Sequence, residues 1–270
     1  SLKSVNKSKS LFLIWKELRK IRKLGKYDLV IDMQGLIKSA LIAHKIPSKV
    51  TLGFDKNSLR ESLAAKFYNE TYKIDYAKNI IERNLALVSY AIKLPVEKED
   101  IYHKNPFLYS SREHLFDYIS STKNNILLIP AASYYSKIYP VEQYARLTKQ
   151  IDANFLVIWG NEEEKLLADQ IKFLSPNANV MNKLSIDELI SLIQQVDLVI
   201  GSDTGPTHMA WALKIPSVTL FGPTPGYRNT LDTKINKIIE SESKVNPYKI
   251  NKKDFSINSI KLSDIVALSK

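Results

Sequence analysis

Between Leu198 and Thr224 the chain reads LVIGSDTGPTHMAWALKIPSVTLFGPT, an order of residues that few folds accommodate. Leu198–Ile200 form a short apolar strand, and Gly201 to Gly205 give a polar turn open to close backbone approach. Pro206 has no N–H and a preset φ, which suits the first position of a helix, and that helix continues over Thr207–Leu213. SVTLFG, from Ser217, is a second apolar strand, and another polar turn follows it. The helix begins where unpaired N–H groups and the positive end of its dipole favour an anion, with Asp203 just before it and His208 in its first turn. A diphosphate fits such a position.

The alternation extends back to Asn125. ILLIP, FLVIWG, a short NVMN and DLVIG are strands, separated by helices around Val141 to Ile151, Glu162 to Phe173 and Ile186 to Gln195. Apolar runs of that length between helices are parallel strands covered on both faces, so the second half reads as a doubly wound nucleotide-binding domain. The first half has only two convincing strands, DLVIDMQ and KVTLGF, among helices around Phe12–Leu24, Leu36–His44, Leu59–Tyr68 and Asn79–Ala91. Two strands make a poor sheet, and the chain opens directly into a helix. The expectation is therefore an N-terminal domain lacking roughly 60 residues, about two βα units; the alternative is a naturally small first domain. A boundary is expected between Asn105 and Asn125, giving domains 1–115 and 116–255. Ile257, Ile260, Leu262, Ile265, Val266 and Leu268 space out a closing helix over 256–270.

Thirty-nine Lys and Arg against 28 Asp and Glu leave +11 over 270 residues, so a negative partner is expected: nucleic acid, anionic lipid or a phosphorylated sugar. Against nucleic acid, the charge is spread along the chain without an aromatic-interleaved motif. The absence of cysteine excludes disulfides and thiolate metal sites. No apolar run reaches the ~20 residues that cross a bilayer, and SLKSVNKSKS is polar rather than signal-like. His44, His103 and His114 share no ligand spacing with each other or with His208, and no acid cluster resembles an Asp-x-Asp metal site. The segment Leu11–Leu24 combines an apolar stripe (Leu11, Ile14, Trp15, Leu18, Ile21) with Lys16, Arg19, Lys20, Arg22 and Lys23, and Gly25 stops it. That pattern suits an anionic membrane surface or an ordinary solvated helix.

The spacing D-T-G-P-T-H-x-A-x-A-x-x-x-P-S-V-T-L-F-G-P-T, with YDLVIDMQGLIKSALIA at Tyr27–Ala43 and FYN at Phe67–Asn69, resembles glycosyltransferase family 9, the ADP-heptose:lipopolysaccharide heptosyltransferases. It looks like the members that add the first heptose to Kdo rather than their later-acting relatives. The resemblance runs from Tyr27 to Thr224. It implies a GT-B fold, α/β, with two Rossmann-like domains facing a cleft, the donor in the C-terminal one and the acceptor in the N-terminal one. The implied reaction is inverting transfer of L-glycero-D-manno-heptose from ADP-heptose to Kdo of Kdo2-lipid A in inner-core synthesis. It needs no cofactor and no metal, and it belongs at the cytoplasmic face of the inner membrane, where the enzyme is peripheral. The rival readings are a later-acting heptosyltransferase and a non-catalytic fragment or basic binding module.

The family's donor-site positions fall on Ser133, Lys137, Glu164, Leu184, Asp203, Thr204, Gly205 and His208, and its acceptor-site positions on Gln34, Lys38 and Arg60. Lys137 is the implied catalytic residue, stabilising the leaving diphosphate; the base, an aspartate in a Gly-Asp loop, is expected upstream of Ser1. Each residue also has an ordinary reading. Lys137 is read as an exposed lysine, facing either phosphate or open solvent. Glu164 sits beside Glu162 and Glu163, all of which suit a helix N-terminus, and Leu184 suits a core. Asp203 would repel phosphate, so its expected partners are backbone N–H groups or a sugar hydroxyl. Ala132 replaces a hydroxyl residue often found in the family.

Overall fold

The structure, a computed structural model, describes residues 20, 21 and 23–269. The chain divides into two compact units at Lys98/Glu99. Most of the segment Leu11–Leu24 lies outside the described residues; Lys20 and Ile21 are helical, and a turn follows at Lys23 and Leu24.

The first unit is built on a parallel sheet of β1 (Tyr27–Ile31), β2 (Ser48–Phe54) and β3 (Glu70–Tyr72), in that spatial order. Helix α1 (Ile37–Lys45) links β1 to β2, and α2 (Ile80–Ile92) follows β3. Leu52 and Phe54 of β2 pack with Ala40 of α1 and Leu87 of α2. β3 was not expected from the sequence, because three residues reading Glu-Thr-Tyr carry no apolar run. Leu59–Tyr68 is also not the α-helix expected: Leu59 is extended and Ser62–Phe67 is a 3-10 turn. Tertiary contacts override helix propensity there. Leu59 lies against Gly35, whose φ of +66° forms the turn after β1, and the Tyr68 hydroxyl donates to Asp32 Oδ2 at 2.7 Å. Asp32 Oδ1 accepts from the N–H groups of Gln34 and Gly35, so one buried carboxylate holds the whole turn.

The second unit has six parallel strands, β4 (Asn125–Ile129), β5 (Asn154–Val157), β6 (Ala178–Val180), β7 (Leu198–Ser202), β8 (Ser217–Phe221) and β9 (Asn236–Glu240). Their spatial order is β6-β5-β4-β7-β8-β9, the doubly wound arrangement. Its longer helices are α3 (Val141–Gln150), α4 (Glu162–Leu174), α5 (Ile186–Gln194), α6 (Gly205–Leu213) and α7 (Leu262–Leu268). Alternation along a strand sends successive side chains to opposite faces. Ile126, Leu128, Phe155, Val157 and Ile200 enter one core, and Leu127, Ile129, Leu156 and Val199 the other. Both faces are thus covered, which is why these strands read as unbroken apolar runs. β9 escaped the sequence reading because NKIIE holds only two apolar residues between polar ends, a composition suited to an edge strand.

The unit boundary falls earlier than the expected 115/116. Residues 104–114 are fastened to the second unit: Lys104 Nζ donates to Trp211 O at 2.6 Å, Phe107 N to Ala212 O at 3.2 Å, and Ser111 and His114 bond Asp187. The tail is likewise part of this unit, since Ile257, Ile260 and Ile265 complete its first core.

Candidate active site

Strand order reverses between β4 and β7, and in doubly wound sheets the crevice outside the carboxyl ends of such strands receives ligands. Here a cavity of about 560 Å³ opens at that point. All eight sequence-expected donor positions line it: Ser133, Lys137, Glu164, Leu184, Asp203, Thr204, Gly205 and His208. Gly201 of β7 makes the close approach there possible. A Cβ at Gly201 would stand 2.8 Å from both Ile129 Cβ and Thr207 Oγ1, so any side chain would push β7 off β4 and the first turn of α6. Thr204 is the N-cap of α6, yet its hydroxyl makes no capping bond. The cavity end of that helix is therefore not closed by its own cap.

The polar end of the cavity is organised by Asp203. Its Oδ1 accepts from His208 Nε2 at 2.9 Å, and its Oδ2 lies 3.0 Å from Lys137 Nζ and accepts from Asn229 Nδ2 at 3.2 Å. Asp203 and Lys137 are each only 8% exposed, so this is a buried ion pair. Burial pushes the Asp203 carboxyl up, but the His208 hydrogen bond and the Lys137 charge outweigh it and hold the group well below the usual carboxylate range. Burial and the Asp203 charge raise the neighbouring Tyr134 hydroxyl, whose ring lies 5.4 Å from Lys137 Nζ.

Two expectations are corrected by this geometry. Asp203 meets the side chains of Lys137, His208 and Asn229 rather than backbone N–H groups, because the turn after β7 directs its carboxylate back beneath the turn after β4. Lys137 is a buried cation, not an exposed one, because the 3-10 turn Tyr135–Lys137 folds it onto that carboxylate.

The other end of the cavity is apolar, lined by Trp159, Leu184, Ile186 and Leu189. The Trp159 indole is fixed by donation to Met181 O at 2.8 Å. Leu184 lines the cavity and also packs against the core. Glu164, alone among the three acids of the first turn of α4, lines the cavity; it also holds the turn, accepting from Gly160 N and Asn161 Nδ2 at 2.8 Å each. In the first unit, Gln34, Lys38 and Arg60 are exposed around the start of α1. Glu61 joins them, accepting from Ile37 N at 2.9 Å and lying 3.6 Å from Arg60 Nη2. His44 and His103 bond nearby carbonyls, and His114 bonds Asp187. Sequence reasoning missed Asn229, Ile186 and Leu189, none of which lies in a motif that announces it.

Residues 14–254 match the model of glycosyltransferase family 9 (heptosyltransferase). The chain belongs to that family. It is 41% identical over 260 residues to lipopolysaccharide heptosyltransferase 1 of Campylobacter coli, covering 90% of this chain and 75% of that relative. It is 28% identical over 218 residues to lipopolysaccharide heptosyltransferase 1 of Pseudomonas aeruginosa, where 79% of this chain spans 59% of the relative's length. Among solved structures, the E. coli heptosyltransferase WaaC with ADP superposes with a TM-score of 0.71 at 20% identity, covering 96% of this chain and 78% of that one. E. coli ADP-heptose lps heptosyltransferase II gives 0.62 at 19% identity, with 94% and 78% covered. These matches establish for this family 9 chain the α/β fold with parallel sheets expected of GT-B heptosyltransferases.

Proposed function

We propose that this chain carries out the first heptose transfer of lipopolysaccharide inner-core synthesis, from ADP-heptose to Kdo of Kdo2-lipid A, with inversion at the anomeric carbon. The observation that supports it best is the two-ended cavity at the strand-order switch. Adenine suits the apolar slot of Trp159, Leu184, Ile186 and Leu189, and Glu164 suits the ribose diol. The diphosphate then falls at the start of α6, beside Ser133, Thr204, Gly205, His208 and Lys137. Asp203 holds Lys137 beside this position, and donor phosphates draw that ammonium toward them. As the Kdo hydroxyl attacks the anomeric carbon and gives its proton to a carboxylate base of the full-length protein, the bond between the sugar and ADP breaks and negative charge grows on the departing diphosphate. Lys137 and the helix N-terminus stabilise that charge without a metal ion, while His208 remains anchored by Asp203. Related structures support this donor, one of E. coli WaaC being with ADP and another with ADP-2-deoxy-2-fluoro heptose. Gln34, Lys38 and Arg60 are the proposed contacts to the acidic Kdo sugar. The proposed location is the cytoplasmic face of the inner membrane, held there by the basic segment Leu11–Leu24.

The test is heptose transfer by the full-length protein to Kdo2-lipid A in vesicles containing anionic lipid, with EDTA present. One heptose should be added, detected by mass spectrometry. Each of Lys16, Arg19, Lys20, Arg22 and Lys23 adds about 1 kcal/mol near an anionic surface, so neutralising all five together should release the protein from the vesicles. Transfer only to an acceptor that already bears heptose would overturn the first-heptose assignment. Unchanged vesicle binding by the neutralised protein would remove the membrane role of that segment.

A further inference from the structure

We propose that Asn229 is a positioning residue of the donor site, keeping the Asp203 carboxylate satisfied when Lys137 turns to the donor diphosphate. This rests on the donor-site reading above and adds to it a residue that does not itself line the cavity.

Asn229 ends a one-turn helix, Gly226–Asn229, in the loop after β8. The loop is anchored independently of Asp203, since Glu240 Oε1 at the end of β9 accepts from Gly226 N at 2.6 Å and Asn229 N donates to Pro225 O at 3.1 Å. The amide orientation is set by two neighbours: Arg228 Nη1 donates to its Oδ1 at 3.4 Å, and its Nδ2 faces Asp203 Oδ2. A flipped amide would set oxygen against carboxylate oxygen and nitrogen against guanidinium.

Asp203 Oδ2 is shared by Lys137 and Asn229, whereas Oδ1 serves His208. When the ammonium leaves for phosphate, the Asn229 N–H is the donor remaining on Oδ2. Without it a carboxylate oxygen in a nearly closed site loses both partners, a state that costs more than the bond itself contributed. The penalty falls on the donor-bound form, so Asn229 acts on donor affinity. The charged and titratable groups around the carboxylate are Lys137 and Tyr134 from the turn after β4, His208 from α6, and Arg228 through the Asn229 amide.

The experiment measures ADP affinity by calorimetry and transfer rate across pH for the full-length protein and its Asn229→Ala, Asn229→Gln and Asn229→Asp variants, with thermal unfolding alongside. Asn229→Ala should bind ADP roughly tenfold more weakly, the effect of one hydrogen bond to a charged group, with KM for the donor rising more than kcat falls. The pH at which the Asp203 carboxylate is protonated should also move up, because its Oδ2 has lost a donor. Asn229→Gln, which keeps an N–H, should recover most of the affinity. Asn229→Asp, equal in size, should be the weakest binder, since a second carboxylate holds Lys137 back from the phosphates. Parent-like affinity and pH profile in Asn229→Ala, or an equal loss in Asn229→Ala and Asn229→Gln, would overturn the proposal while leaving the donor site standing. Should Asn229→Ala fail to fold, parent-like binding by Asn229→Asp would overturn it alone. A parent that does not bind ADP would overturn the donor-site reading and this proposal together.

Discussion

Lys137→Met in the full-length protein should lower heptose transfer by roughly ten- to hundredfold, the value of one charge-assisted hydrogen bond expressed as a rate, and should also weaken the fold. An exposed lysine would contribute little to stability, but Lys137 and Asp203 are each 8% exposed and 3.0 Å apart. Removing one member of such a pair strands the other. Breaking buried pairs costs ~3–5 kcal/mol, and because His208 and Asn229 still reach Asp203, the lower end is expected. The informative comparison is the double variant Lys137→Met/Asp203→Asn. It removes both charges, so urea unfolding should return toward the parent, whereas the transfer rate should stay low because the cation is gone. A double variant as active as the parent would mean that Lys137 serves the fold alone.

Below pH 4 the parent should lose stability that an Asp203→Asn variant does not lose. The Asp203 carboxyl is depressed in the folded state from an ordinary value of 3.8, chiefly by His208 and Lys137 acting against burial. A depressed acid stabilises the fold above its unfolded value, and that contribution disappears as pH falls from there through the folded value. Each unit of pH within the window removes about 1.4 kcal/mol. Urea midpoints compared between pH 2.5 and 5 isolate Asp203, because Asp187, also strongly depressed, titrates equally in both proteins. Parallel acid losses in parent and variant would show that the carboxylate is not held by its partners.

The cavity was legible in the sequence to the extent that its residues sit at the ends of buried strands. ILLIP, FLVIWG and DLVIG are buried on both faces, so their apolar runs announced β4, β5 and β7, and the segments after them supplied most of the lining residues. Pro206 and Gly205 likewise marked the start of α6 within two residues. What escaped were features set by tertiary partners. β3 and β9 are short and polar at their ends, so pairing with β2 and β8 defines them rather than composition. The segment Leu59–Tyr68 has helical spacing, yet the Tyr68 hydroxyl on Asp32 and Leu59 over Gly35 draw it into a tighter turn. Lys137 and Asp203 lie far apart in the chain, and nothing in either motif reveals that they neutralise each other. Asn229 was invisible for the same reason, since its only signal is a distance across the sheet edge.

The central claim is that the second unit is a nucleoside diphosphate site whose charge is met by Lys137, His208 and the start of α6. Titration calorimetry of the full-length protein with ADP, run with and without EDTA, tests it most directly. Binding should be unchanged by EDTA and roughly ten- to hundredfold weaker in Lys137→Met/Asp203→Asn, a loss equal to one charge-assisted bond. Absence of ADP binding, or binding that EDTA abolishes, would contradict it.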